Sequence, residues 1–131
     1  MSEDIGKLAL RLSLGGLLLF HGVNKLLNGI APIKTMLTSH NIPDMLAYGV
    51  YLGELVAPIL VILGLFSRIG GALILFNMIV AVCLVHLGQL AGLNPNSGGY
   101  ALELQIFYFS TALAVTLLGA GRFSIGSRHW N

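Results

Sequence analysis

Five side chains have the types and placement to do chemistry: His21, Lys25, Glu54, His86 and Glu103. Each lies inside or at the edge of an apolar run. A charged group there costs roughly 2.5–3.5 kcal/mol on insertion scales, so it calls for a partner or a task. Glu54 is the most exacting of them, because between residues 46 and 90 only Glu54 and Arg68 carry a full charge. Two imidazoles and two carboxylates suit Zn, Fe or Cu, which makes His21, Glu54, His86 and Glu103 candidate ligands of a transition metal. The sequence has no E-x-x-H or H-x-x-x-H spacing around them, so each ligand would come from a different helix. Equally, a His and a Glu at interface depth can exchange protons with a quinone headgroup by general acid–base chemistry. Transport is a third class, with the carboxylate as proton carrier, although paired half-helices of the transporter kind are missing from the sequence. The plainer alternative for Glu54 is a buried ion pair with Lys25 or Arg68 that fixes helix register.

Such residues have to be positioned by helices, and the composition says which kind. The 131 residues are one domain by length, 56% hydrophobic and only 9% charged, against a usual charged share of about 25%. A surface that poor in charge must face lipid. The net charge of +2 is scattered along the chain, which speaks against a nucleic-acid partner. A single cysteine, Cys83, permits no internal disulfide and no CxxC pair. That excludes the dithiol chemistry of membrane enzymes that make disulfides, and Cys83 reads as a small core residue.

Four apolar spans follow, over residues 8–27, 46–66, 69–90 and 100–120, each near the ~20 residues that cross a hydrocarbon core. The first is read as an uncleaved helix, since His21, Asn24 and Lys25 occupy the place of a small-residue cleavage site. Residues 28–45, with Pro32 and Pro43-Asp44, make a short interfacial segment. Ser67-Arg68 is a minimal hairpin that makes spans two and three antiparallel neighbours. Tyr48, Tyr51 and Trp130 read as interface anchors. With both termini cytoplasmic, Lys7, Arg11, Arg68, Arg122 and Arg128 lie inside and Lys25 and Lys34 outside, the asymmetry the positive-inside rule favours. The arginines are then topology determinants.

Helical phase groups the costly residues. Arg11, Gly15, Leu18, His21, Gly22 and Lys25 share one face of the first span, with His21 and Lys25 an i, i+4 pair. Glu54, Ala57, Pro58, Val61 and Arg68 share a face of the second. Pro58 removes the donor that would bond the Glu54 carbonyl, which predicts a kink or opened turn beside the carboxylate. Cys83 and His86 share a face of the third span, with Asn77 on the opposite side. Glu103, Phe107, Ser110 and Thr111 form one stripe on the fourth. Turning these faces inward gives an all-α, integral membrane four-helix bundle with an outer-side polar pocket of His21, Lys25, Glu54, His86 and Glu103.

At these same residues the chain resembles the DoxX family of small four-helix membrane proteins. The resemblance rests on R-L-S-L-G-G-L-L-L-F-H-G-V-N-K-L over residues 11–26 and G-E-L-V-A-P-I-L-V-I-L-G-L-F-S-R over residues 53–68. It continues with the span ending in His86, the Gly98-Gly99 loop, the Glu103 helix and G-A-G-R-F-S-I over residues 119–125. It implies a multi-pass protein of a bacterial or archaeal cytoplasmic membrane. Some members look like subunits of quinone-linked oxidoreductases, and others associate with oxidative-stress enzymes. Two departures stand out. Ala120 replaces the proline and Gly126 the closing acid of the family's usual tail, and Glu103 follows the Gly-Gly pair at a longer spacing than the family glutamate.

The expectation is therefore an inner-membrane, quinone-interacting or redox-accessory subunit. Its partners would be the lipid bilayer and redox subunits, and a homodimer is compatible with so small a bundle. The alternative is a non-catalytic scaffold or a small-solute carrier.

Overall fold

A computed structural model of the chain describes residues 1–86, 92–93, 95–96, 98–126 and 131; of Val85 and His86 it describes the main chain alone. Among the described residues, five helices make up the fold. α1 is Ser2–Asn28 and α2 is Ala31–Ser39. α3, Asp44–Leu63, opens as a 3-10 turn over Asp44–Tyr48 and passes through a π turn at Leu52–Val56. α4 is Ser67–Ala81, continued by a π turn over Val82–His86, and α5 is Glu103–Leu118. α1, α3 and α4 are long and apolar enough to cross a membrane, while α5 is apolar but only 16 residues long, about 24 Å at 1.5 Å per residue.

α1 begins six residues earlier than its apolar stretch requires, with Glu3 and Asp4 in its first turn where a helix favours negative charge. The hairpin after α3 also lies elsewhere than expected. Gly64, left-handed at φ 75°, and Phe66, at φ 49°, make the turn, and Ser67-Arg68 begin α4. The glycine type at residue 64 is what ends α3 there, since its left-handed conformation carries no Cβ penalty.

α1 and α4 each pack against both α3 and α5. Leu14 and Leu18 of α1, Ala57 and Val61 of α3, Ile74 and Met78 of α4, and Ala112 and Val115 of α5 form the core between them. Large apolar side chains such as Phe20, Leu27, Phe76, Phe107 and Leu117 stay on the outside. Lipid is as apolar as those side chains, so the helices are held by close packing more than by any drive to leave water. Glycine supplies the closeness at Gly71, where a Cβ would stand 3.0 Å from the Ala112 carbonyl. At Gly22 a Cβ would overlap the Glu54 carbonyl, whereas Gly16 has open space around it. Gly22→Val should therefore push α1 off α3 and cost about 1–3 kcal/mol, while Gly16→Ala should be neutral or gain about 0.5–1 kcal/mol from helix propensity. Equal effects in thermal unfolding of the two purified variants would refute this account of the α1–α3 contact.

The fourth span turns a different face inward from the one expected. Phe107 is 72% exposed, Glu103 and Ser110 are exposed, and Thr111 bonds the Phe107 carbonyl at 2.7 Å. Gln105, Tyr108, Ala112 and Val115 form the inner stripe instead. The small Ala112 against Gly71 sets this phase, because that is where the α4 and α5 backbones can come closest. Cys83 is likewise on the exposed side of its helix and not in the core.

The start of α1, the turn after α3 and the end of α5 gather at one end of the molecule. Arg11, 1% exposed, ties them together. Its guanidinium donates to the carbonyls of Val61 (2.9 Å), Ile62 (3.0 Å), Ala120 (2.8 Å) and Phe123 (2.7 Å). Two of these are last-turn carbonyls of α3, which have no intrahelical donor and favour a cation. Read from sequence as a topology charge, Arg11 is a clamp inside the fold. The segment after α5 adds main-chain bonds from Ile125 to Leu63 and from Gly126 to Gly64, and Asp4 accepts from the Arg122 N–H at 3.0 Å. Arg68, the other partner considered for Glu54, instead donates to Thr116 and Leu117 carbonyls at the end of α5.

At the opposite end, α2 and the first turn of α3 form a small second core of Ile30, Leu37 and Ala47. Lys34 bonds the Tyr48 hydroxyl at 2.9 Å and lies 4.6 Å from that ring's centroid. The bond to Tyr48, ahead of every other influence, holds the exposed Lys34 ammonium above the usual lysine range.

Candidate functional site

Pro58 shapes the site. Lacking an N–H, it cannot bond back into the turn before it, and the helix answers by widening. The Ala57 N–H reaches the Leu52 carbonyl five residues back, closing the π turn that carries Glu54. The opened turn expected beside the carboxylate is thus present. α1 crosses at that turn through Gly22, and this crossing brings Lys25 to Glu54. The ammonium Nζ pairs with Oε2 of a carboxylate only 5% exposed, while the Lys25 side chain is 28% exposed. Tyr51, one turn earlier on α3, donates to the Lys25 carbonyl at 3.3 Å.

Two cavities meet at this pair. The smaller, about 250 Å³, is lined by His21, Lys25, Glu54, Gln105 and Tyr108 together with Leu18, Met78, Ala81 and Leu104. His21 packs edge-on against Tyr108, ring centroids 6.0 Å apart and planes at 89°. The larger, about 440 Å³, lies under α2 between α3 and α4, and among the described residues of its lining only Lys25, Glu54 and Asn77 are polar.

The structure brings together His21, Lys25 and Glu54 of the five residues picked from sequence. Glu103 lines neither of these cavities. It stands in the first turn of α5, where its charge suits the helix end, with its carboxylate against Gly99; a Cβ there would lie 2.6 Å from Oε2. The side chain of His86, like Trp130 and Arg128, lies outside the described residues. Among the described residues no three His, Cys, Asp or Glu side chains gather as a metal site.

Three residues were not picked. Gln105 and Tyr108 share the inner stripe of α5, and their i, i+3 spacing just ahead of Ala112 was the available signal. By helical phase alone, Asn77 falls on the side of its helix away from Cys83 and His86. It packs on Gly53, whose Cβ would come within 2.8 Å of Asn77 Cβ, and so borders the larger cavity beside Glu54.

What the site can do follows from its donors and acceptors. Lys25 donates only, the ionised Glu54 accepts only, and His21, Gln105 and Tyr108 can do both. A polar ring in the smaller cavity would find both kinds of partner within one wall.

Comparison with curated proteins and with solved structures finds no match. The family model described as DoxX matches residues 6–87, more than half of the chain. That stretch runs from the second turn of α1 through α4, with His21, Lys25, the π turn and Glu54, and leaves Gln105 and Tyr108 beyond it. Its apolar helices make this a multi-pass membrane protein, and the chain belongs to the DoxX family.

Proposed function

We propose that the chain is a quinone-interacting, redox-accessory subunit, with Lys25 and Glu54 holding the headgroup and His21, Gln105 and Tyr108 lining its cavity. The observation that carries this is the Lys25–Glu54 pair, its carboxylate buried and its lysine partly exposed, opening on a cavity of about 250 Å³, many times the ~30 Å³ share of one water. Toward the oxidised ring, Lys25 donates a hydrogen bond to a carbonyl oxygen. Toward the reduced ring, Glu54 accepts one from a hydroxyl. A wall offering both fits both oxidation states. When bound, the quinone supplies two-electron chemistry that no group of this chain offers, its single cysteine included. His21, edge-on to Tyr108 in the cavity wall, would hold or release the proton that accompanies that chemistry, with a partner oxidoreductase as the electron source or sink.

In this reading α1, α3, α4 and the shorter α5 all span the inner membrane of a bacterium, with both termini cytoplasmic. Support comes from Lys7, Arg68 and Arg122 sitting at the end where α1 begins, α4 begins and α5 ends.

The test is lipid extraction of the protein purified in native lipid, beside Lys25→Met and Glu54→Gln. Quinone near one per chain, lost in folded variants, is the expected result. Wild-type protein without quinone, and with variants that are only less stable, would instead leave the pair as a register-fixing contact in a scaffold.

A further inference from the structure

We infer that the larger cavity under α2 is the tail site for a ligand whose head lies at Lys25–Glu54. Its occupant is a membrane-soluble amphiphile with a hydrocarbon chain and a head bearing carbonyl or hydroxyl oxygens. This rests on the reading of the head site above and adds where the rest of the molecule goes.

Three observations converge on it. The two cavities share Lys25, Glu54, Met78 and Ala81, so they adjoin at the ion pair. Among the described residues, polarity in the larger one is confined to Lys25, Glu54 and Asn77, which meet around the π turn, and the other described lining residues are apolar. Its rim includes Leu46, Leu52 and Phe76, which are 60%, 47% and 66% exposed. On a membrane helix pair that rim faces lipid, and a chain can slide in sideways without its head crossing water. At about 440 Å³ the cavity falls within the roughly 300–1,000 Å³ of small-molecule sites. A water-soluble solute has no reason to choose such a wall, since a polar group deep in it would lack partners.

Gly49 offers the means to test this. It borders the cavity in a right-handed helical conformation, φ −60° and ψ −22°, and a Cβ on it would meet nothing within 4 Å. Gly49→Trp therefore adds bulk at the exposed edge of the cavity wall without displacing a neighbour, and Gly49→Leu is a milder obstruction should the first not fold. Binding of two probes would be compared in nanodiscs of phosphatidylethanolamine and phosphatidylglycerol, counted above empty nanodiscs. One probe is a benzoquinone with a decyl tail and the other the same ring without it. Using one lipid throughout cancels the partitioning of each probe.

The expected result is at least a tenfold loss of the decyl probe in Gly49→Trp, graded in Gly49→Leu, with the tail-less ring unchanged within twofold. Equal binding of the decyl probe to wild type and both folded variants would overturn the tail site and leave the head site standing. Failure of wild type to bind either probe would overturn both.

Discussion

Arg11→Met should be the most damaging single change to the fold, lowering stability by about 3–5 kcal/mol, as when one partner of a buried charged contact is removed. The guanidinium serves four carbonyls from two separate stretches of chain, at Val61 and Ile62 and at Ala120 and Phe123. Methionine fills the space and leaves all four without a donor in a place where water is scarce and each missing partner is expensive. Arg11→Lys keeps the charge, but an ammonium has three donors on a point and no fork to span both stretches. It should recover only part of the loss. Reversible unfolding in mixed micelles measures the three proteins. A methionine variant within about 1 kcal/mol of wild type would show that the clamp contributes little.

The second large effect is an asymmetry across the ion pair. Lys25→Met strands a carboxylate that is 5% exposed, whereas Glu54→Gln frees a lysine whose side chain is already 28% exposed. The lysine can reach out toward headgroups along its flexible stem, while the carboxylate is fixed in the π turn with Gly22 against its backbone. Lys25→Met should therefore cost about 3–5 kcal/mol and Glu54→Gln nearer 1–2 kcal/mol. The double variant should be less harmed than the sum of the two, because no lone charge remains. Either variant should abolish quinone retention, so the stability ranking and the binding result are separate readouts. Equal costs for the two single changes would contradict the burial difference on which the ranking stands.

Much of this was legible in the sequence because lipid makes polar residues conspicuous. Glu54 announced itself as a lone acid in an apolar run, and Pro58 four residues on foretold the opened turn. The faces of α1 and α3 followed from small and polar residues repeating at helical spacing, and the structure buries Arg11, Gly15, Leu18 and Gly22 on one and Glu54, Ala57, Pro58 and Val61 on the other. α5 was misread because its apolar residues surround the helix, leaving the periodicity weak. Glu103 is its one full charge, but the phase is set by Ala112 meeting Gly71 across 40 residues of intervening chain, a contact that no local pattern records. Arg11 misled in a similar way. A cation near a span's end looks like a topology signal, and its acceptors are main-chain carbonyls, which every residue type carries alike.

The clamp also sets an order on biosynthesis. Two of the acceptors of Arg11 lie 50 and 51 residues further along the chain, and the other two lie 109 and 112 residues further. At roughly 5–20 residues per second, α1 waits several seconds for its first pair of carbonyls and about twice as long for the second. During that interval a guanidinium must be kept at the membrane surface or shielded by the insertion machinery. α1, made before the helices it packs against, is thus the last of them to be locked in place, and ribosome-bound chains halted before residue 120 should carry an Arg11 still open to modification by a guanidinium reagent.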